Sequence, residues 1–228
     1  MAVYVTGDKH QNYYDLYEFA NKMELNENDY VIVLGDMGLF WRYDRTDALD
    51  FINYFEQTYN FNLYFLDGNH ENFNILKTLP EDEQGMGFVS QHIRHLKRGR
   101  RYNIQGKDIL TIGGADSVDK FRRIGGLSWW EEERITDEDI KDIEKDNYTY
   151  VLSHTCPISI FNMYQNDLCT LGNIVDNDNP EFKVSNYKLQ EVLMKITWEH
   201  WYFGHYHIDK DLDDDFTCLY HEFRELRL

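Results

Sequence analysis

The segment Tyr30-Val31-Ile32-Val33-Leu34-Gly35-Asp36 shows a repeating pattern from which the fold class follows. Its apolar run is too short for a helix and rich in β-branched residues, so it predicts a buried strand. The run stops abruptly at a glycine and a polar residue. Similar short apolar runs occur at residues 3–5, 63–66, 109–112, 150–152 and 201–203. Each of them also predicts a buried strand that ends at a polar cluster.

Helical spacing fills several gaps between these strands. Apolar stripes run through Leu16, Phe19, Ala20 and Met23, through Ala48, Leu49, Ile52 and Phe55, and through Leu189, Val192, Leu193 and Ile196. They predict helices whose apolar faces lie in the core. Thr136 and Asp139 form a capping-box pattern, which predicts a short helix reaching Ile143. Strands alternating with helices predict an α/β layered fold, in which polar residues at the carboxyl ends of strands line the ligand crevice.

Length and composition limit the class of protein. The 228 residues suit one large domain, 1–228, and no linker or low-complexity segment divides them. With 42% hydrophobic and 16% aromatic residues, the chain can bury a core, which excludes disorder as its main state. No apolar window is long enough to span a membrane, and the opening residues lack a signal-peptide pattern. We therefore expect a cytoplasmic protein with no membrane partner.

The chain is strongly acidic, with 41 Asp and Glu against 23 Lys and Arg and a net charge of −18. Nucleic-acid backbones are bound mainly by Lys and Arg, so this balance argues against a broad, non-specific nucleic-acid surface. The cysteines Cys156, Cys169 and Cys218 are far apart and form no CxxC pair. They indicate reduced thiols and not a disulfide framework or a thiolate zinc site.

Five of the nine histidines follow predicted strands, each beside an Asp, Asn, Gly or second His: His10, His70, His154, His205 and His207. Oxygen ligands stand in the same positions: Asp8, Asp36, Asn69 and Glu71. A single histidine of this kind is commonly structural, but five with these oxygen ligands indicate a metal site. A mixed nitrogen and oxygen set without thiolate suits Mn, Fe or Zn.

In chain order these residues form five blocks: Gly7-Asp8-Lys9-His10, Gly35-Asp36, Gly68-Asn69-His70-Glu71, Ser153-His154 and Gly204-His205-Tyr206-His207. The order resembles the signature of the calcineurin-like metallophosphoesterase superfamily: DxH, GD, GNH followed by D or E, H, and GHxH. All five blocks are present, and they span nearly the whole chain. The resemblance implies an α/β/β/α sandwich, with central β-sheets flanked by helices. The chain also resembles the compact bacterial and phage members of this superfamily.

The resemblance also implies a ligand set. One site would be held by Asp8, His10 and His207, a second by Asn69, His154 and His205, and Asp36 would bridge the two. The implied cofactors are two divalent metal ions, with Mn favoured and Fe, Zn or Ni as alternatives. Such a pair lowers the pKa of a shared water and neutralises charge that develops on a phosphate. A metal-bridging hydroxide is the nucleophile that this pattern implies.

The same resemblance gives His70, Glu71 and Asn69 further roles. His70 would lie beside the scissile ester, where an imidazole suits a general acid that protonates the leaving alkoxide. Glu71 would position the His70 imidazole. Asn69, a neutral metal ligand, limits the negative charge of the centre and is also a candidate substrate contact.

Other substrate contacts remain open. Arg122 and Arg123 could clamp a phosphate or be solvated on a folded loop. Trp129 and Trp130 are expected to pack against the sheet, with stacking on a base as the alternative. A positive run is expected to charge an edge strand, with a substrate-guiding patch as the alternative: Arg94, His95, Lys97, Arg98, Arg100 and Arg101.

The leading function is metal-dependent hydrolysis of a small phosphodiester or nucleotide-like ester. A protein phosphatase is disfavoured because Gly35-Asp36-Met37-Gly38-Leu39 lacks the arginine of the GDxxDRG block in those enzymes. A nuclease is disfavoured because the chain is short and acidic. A non-catalytic binding module would be expected to lack His70 or several ligands, and all are present. The sequence does not indicate the oligomeric state.

Overall fold

The computed structural model describes residues 1–41, 46–169 and 179–227. In the first sheet, the strands are β1 (Val3–Thr6), β2 (Tyr30–Val33), β3 (Asn62–Phe65), β4 (Gly87–Phe88), β5 (Ile93–His95) and β12 (Phe223–Glu225), in the order β12-β1-β2-β3-β5-β4. Strands β1, β2, β3 and β5 run parallel. Their carboxyl ends therefore lie along one edge of this sheet.

The strands of the second sheet are β6 (Arg100–Ile104), β7 (Lys107–Ile112), β8 (Asn147–Ser153), β9 (Thr197–Phe203), β10 (Lys210–Asp211) and β11 (Phe216–Cys218), in the order β10-β11-β9-β8-β7-β6. Strands β7, β8, β9 and β11 run parallel, and β6 pairs with β7 as an antiparallel hairpin. Part of the positive run lies on β6, an edge strand as predicted.

The helices of the described residues are α1 (Tyr14–Met23), α2 (Thr46–Thr58), α3 (Phe73–Leu76), α4 (Asp137–Ile140), α5 (Ile158–Met163), α6 (Gln165–Leu168) and α7 (Val184–Leu193). The capping box of Thr136 and Asp139 opens α4 as predicted. However, α4 ends at Ile140 and does not reach Ile143. Two residues of the predicted core stripes, Met23 and Leu49, are exposed, because each helix buries a narrower face than its apolar spacing suggested.

Alternate residues of the central strands face two different cores, as strand geometry requires. Val3, Val5 and Ile32 meet residues of the second sheet, such as Ile109 and Leu152, in the core between the sheets. Their neighbours Tyr4, Val31 and Val33 pack with α1 and α2 residues such as Leu16 and Phe55. On the outer face of the second sheet, Val151 packs with Leu189 of α7. The layers are thus helix, sheet, sheet, helix, and the predicted α/β/β/α sandwich is confirmed.

All six predicted strands are present, as β1, β2, β3, β7, β8 and β9. The loops after five of them, all but β7, contain the five blocks with the predicted metal ligands. Among the described residues, no helix combines the length and apolar character needed to cross a membrane.

Candidate metal centre and active site

The carboxyl ends of β1, β2, β3, β8 and β9 bring the predicted ligands together. Asp8, Asp36, Asn69 and His154 are buried. The side chains of His10, His70 and His207 are 28–31% exposed and open onto the crevice. The site therefore has a buried floor of oxygen and nitrogen atoms and a rim of imidazoles that a ligand can reach.

The first group consists of Asp8, His10 and His207, whose ligand atoms lie within 4.8 Å of one another. The Nε2 atoms of His10 and His207 are 3.0 Å apart. Nε2 of His207 is also 3.0 Å from Oδ2 of Asp8. The resemblance implied a site made of these three residues, and the structure brings them together.

The second group is centred on His154. Its Nδ1 lies 2.7 Å from the carbonyl oxygen of Leu34, to which it donates. In the neutral imidazole the proton is then on Nδ1, and Nε2, directed at Oδ1 of Asn69 3.1 Å away, is the atom able to bind a metal. A backbone carbonyl that sets the tautomer in this way is a common support for a metal-binding histidine.

Asp36 lies between the two groups. Its Oδ2 is 3.7 Å from Nε2 of His10 and 3.5 Å from Nε2 of His154. No other carboxylate among the described residues approaches both His10 and His154 so closely. The position suits the bridging role that the resemblance implied.

His205 is less clearly a ligand. Its ring centre is 5.0 Å from that of His154, and its backbone N–H donates to Asp8. Its side chain belongs to none of the three groups of described residues whose atoms converge closely enough to hold an ion. Burial lowers the pKa of His205 to about 3, so its imidazole is neutral and able to act as a ligand.

The oxygen and nitrogen atoms of this site are suited to bind a cation. The buried Oδ2 of Asp8 has no hydrogen-bond partner, although His207 lies beside it. Nε2 of His154 and Oδ1 of Asn69 lie 3.1 Å apart, so one cation can contact both once the imidazole loses its proton. Burial lowers the pKa of His154, but the carboxylates of Asp36 and Asp8 outweigh it and raise that pKa to about 9. The centre therefore attracts positive charge, and its atoms suit divalent metal ions.

Close approach explains two of the glycines in the blocks. A side chain at Gly35, which has a φ of 92°, would collide with the His154 ring. One at Gly68 would collide with the carboxylate of Asp36. Because glycine has no Cβ, these turns can pass directly over neighbouring ligands.

The ligand turns also contain strained backbone. Among the described residues, seven non-glycine residues have positive φ, and four of them are predicted ligands: His10, Asp36, His205 and His207. Such conformations cost roughly 1–3 kcal/mol each and are concentrated at functional sites. The turns hold these four side chains toward one point.

Asp36, and not Glu71, contacts the His70 imidazole. Nδ1 of His70 donates to Oδ2 of Asp36 at 2.8 Å. Oε1 of Glu71 instead accepts from the backbone N–H of Gly38, and burial and the charge of Asp36 hold the pKa of Glu71 well above its usual range. The predicted contact between Glu71 and His70 is absent from the described residues. Glu71 turns away because the N–H group that donates to it lies on the loop after β2.

Of the two candidate arginines, the structure brings only Arg123 into the site. Its guanidinium contacts Nε2 of His70, stacks on Trp41 and pairs with Asp119 at 2.7 Å. Arg122 is exposed and lines neither cavity beside the metal ligands. For Arg122, at the end of the turn Lys120–Arg122, the structure favours the solvated alternative. Trp130 is buried, as expected.

Ser117 and Glu133 support the site, and sequence analysis missed this role. Nδ2 of Asn69 donates to Oγ of Ser117 at 3.0 Å, and Ser117 donates to Oε2 of Glu133. Oε1 of Glu133 is 3.5 Å from Arg123. Burial raises the pKa of Glu133 to about 8. Polar residues in the glycine-rich segment 113–119 were a signal for Ser117, but nothing in the sequence indicated Glu133.

Two cavities meet at His70, Asp119 and Arg123. One, of about 350 Å³, also includes Asp36, Asn69 and His207. The other, of about 290 Å³, also includes His10, Gln11 and Trp41. The predicted metal ligands are thus reached from both sides of the His70–Arg123 contact.

A family model described as calcineurin-like phosphoesterase matches residues 1–209. The chain belongs to this family. A comparison with curated proteins gives no match. Family membership supports a metal-dependent phosphoesterase, and the histidine and aspartate groups of this phosphoesterase are able to bind the metal. The substrate and the number of metal ions are matters for proposal.

Proposed function

We propose that this phosphoesterase is a dinuclear phosphodiesterase that acts on a small or nucleotide-like ester. The observation that carries the proposal is the position of His70, Asp119 and Arg123 between two cavities that both reach the predicted ligands. A diester has two organic arms on one phosphorus. When the phosphate of the diester lies at the predicted metal ligands, each cavity can accept one of its two arms.

The proposed ligands are Asp8, His10 and His207 for one ion, Asn69, His154 and His205 for the other, and Asp36 for both. Two divalent ions, when bound, acidify water and neutralise negative charge on phosphate. Mixed histidine and carboxylate ligands favour Mn, with Fe, Zn or Ni as alternatives. Activity and bound metal measured side by side with Mn, Ni, Zn and Mg test this choice.

His70 is the proposed general acid. Asp36 accepts from its Nδ1, which leaves Nε2 as the atom that exchanges a proton with a ligand. Arg123 contacts Nε2 in this structure. A substrate phosphate offers the guanidinium a better, charged acceptor. Nε2 is then able to carry a proton to the leaving oxygen.

Substitution of the acid tests its role. His70→Asn is expected to lower kcat on a nucleoside 2′,3′-cyclic phosphate, whose alkoxide has to be protonated to leave, by roughly 10²–10⁴-fold, the usual contribution of a general acid. Bound metal, measured by elemental analysis, should stay at the wild-type level. The exposed His221 provides a matched control, since His221→Asn should leave kcat unchanged. Wild-type turnover by His70→Asn would remove the assignment.

A second substitution tests the diester preference. Trp41 lines only the smaller of the two cavities, beside His10 and His70. Trp41→Ala is expected to lower kcat/KM for bis-(p-nitrophenyl) phosphate by about tenfold, the effect of losing one apolar contact surface, and to affect p-nitrophenyl phosphate less. Trp129→Ala, outside both cavities, is the control. An equal loss on both substrates would contradict the two-arm arrangement.

Two other activities, those of a nuclease and of a protein phosphatase, have less support. A nuclease remains the second enzymatic possibility and is opposed by the net charge of −18. A protein phosphatase lacks support because the loop after β2, Gly35-Asp36-Met37-Gly38-Leu39, lacks the arginine of the GDxxDRG block. We propose a cytoplasmic location and a single domain spanning 1–228. The buried thiols Cys156 and Cys218 agree with a reducing compartment.

A further inference from the structure

A third cavity, of about 440 Å³, is separate from the two catalytic cavities. Asp67, at the end of β3, lines it, whereas Asn69 and His70 line the catalytic side of the same loop. Among the described residues, none lines both this cavity and a catalytic one. Its volume lies within the range of small-molecule sites.

This cavity is basic although the chain has a net charge of −18. Five basic side chains line it: Lys77, Lys97, Arg98, Arg100 and Arg134. Only three carboxylates do so: Asp67, Glu132 and Asp139. Four of the six members of the positive run at residues 94–101 therefore face one concave surface, and only part of the run serves to charge an edge strand.

The basic side chains differ in their availability. Arg98 is committed to the wall, where it donates to Asp67 and to the carbonyl oxygen of Glu132. Lys77 and Lys97 pair with Glu132 and Glu81, whose side chains are 42% and 55% exposed. Exposed pairs of this kind contribute little, so a ligand with several charges can replace the carboxylates. Arg100 makes no ion pair with any described residue.

We propose that this cavity binds a small polyphosphate anion through Lys77, Lys97 and Arg100. Several phosphate oxygens match several separated cations, and each contact is a charge-assisted hydrogen bond. Most of the surface of an acidic protein repels such an anion, so the local positive field concentrates it here. The site is distinct from the metal centre and does not depend on its reaction.

The wall of the cavity also contacts the catalytic side. Arg98 donates to the carbonyl oxygens of Glu132 and Glu133. The side chain of Glu133 in turn meets Ser117 and Arg123. An anion held beside Arg98 therefore acts on the segment that orients the catalytic arginine, and its binding is expected to change kcat.

Calorimetry with inorganic pyrophosphate tests the proposal. The metal-loaded protein, with metal in excess, is expected to show two binding events, one at the metal centre and one at the basic cavity. Arg100→Ala should weaken the second event by about tenfold or more, because a charge-assisted contact is lost. Lys97→Ala/Arg100→Ala should abolish it. Both variants should hydrolyse bis-(p-nitrophenyl) phosphate at the wild-type rate without pyrophosphate.

Arg101 supplies the matched control. It is the next residue on β6 but pairs with Asp108 and Asp146 and does not line the cavity. Arg101→Ala removes the same charge and should retain both binding events. A single event in wild type, or equal weakening by Arg100→Ala and Arg101→Ala, would overturn the site. Pyrophosphate that competes with substrate at the metal centre changes only KM. An unchanged kcat in the presence of pyrophosphate would therefore overturn the proposed effect of the basic cavity on catalysis.

Discussion

Asp36 and Asp67 follow neighbouring parallel strands and are buried almost equally, at 1% and 2% exposure. Their surroundings differ. Asp67 accepts from Arg98 at 2.7 Å and from His95 at 3.1 Å, and Arg98 has further acceptors in backbone carbonyls. Asp36 accepts from the backbone N–H of His70 at 2.7 Å, and its side-chain neighbours are imidazoles that also approach Asp8 and Asn69.

The difference shows two ways to stabilise a buried carboxylate. After β3, a guanidinium from the same chain supplies a permanent counter-charge. After β2, the chain supplies ligand atoms, and the counter-charge comes from a proton or a bound cation. A buried charge requires one solution or the other, because an unpaired one costs several kcal/mol. The first cluster is expected to support the fold and the second to support chemistry.

The largest expected effect comes from the same chemical change at the two positions. Asp36→Asn should abolish bound metal and lower turnover by about 10⁴-fold or more, as loss of one member of a catalytic unit does. Asp67→Asn should retain bound metal. Elemental analysis and kcat on bis-(p-nitrophenyl) phosphate measure both. Loss of metal by Asp67→Asn and not by Asp36→Asn would reverse the comparison.

Asp67→Asn should instead reduce stability. The substitution leaves the buried Arg98 with only the more distant carboxylate of Asp139, at 3.3 Å, so the free energy of unfolding should fall by up to about 3–5 kcal/mol. Lys97→Met, which breaks only the exposed pair with Glu81, should cost less than about 1 kcal/mol. Urea unfolding of the two variants makes the measurement. Equal losses would show that Asp67 and Arg98 have no special structural role.

The same variant should show a pH dependence of known sign. Burial raises the pKa of Asp67, but Arg98 and His95 outweigh it and hold that pKa well below the ordinary value of 3.8. The stabilisation is therefore fully present above pH 3.8 and is lost as the pH falls below it. The stability difference between wild type and Asp67→Asn should be constant from neutral pH to about pH 5 and should shrink below 3.8. A difference that grows on acidification would contradict this account.

The smallest expected effect concerns Glu133, which lies between the two clusters. Glu133→Leu removes the acceptor of Ser117 and frees the Asn69 amide, so metal affinity should fall by about 10–100-fold. Burial raises the pKa of Glu133 to about 8, which makes it mainly neutral at pH 7. Glu133→Gln should therefore retain near-wild-type metal affinity. Metal titration calorimetry distinguishes the two variants. An equal loss of metal affinity in both would show that Glu133 acts through its charge.

Several features of the fold were predictable because they depend on local pattern. Short apolar runs of β-branched residues predicted six strands, and all are present. The polar residues after five of them were expected to meet because parallel strands bring their carboxyl ends to one edge. Helix limits were less predictable. Ile143 lies beyond α4, although its N–H still donates to the carbonyl oxygen of Ile140, and the limits of such short helices depend on tertiary packing.

Local sequence patterns were enough to predict the layered α/β fold, the family, and the set of residues that meet at one edge. The contacts within that set depend on how the loops pack in three dimensions. In the structure, Asp36 and not Glu71 contacts His70. Arg123 lies in the site and Arg122 does not. Glu133, 16 residues after Ser117 in the chain, contacts Ser117. Periodicity specifies the side of a strand or helix on which a residue lies. The partner of a side chain depends on loops packed from distant parts of the chain, which no local pattern encodes.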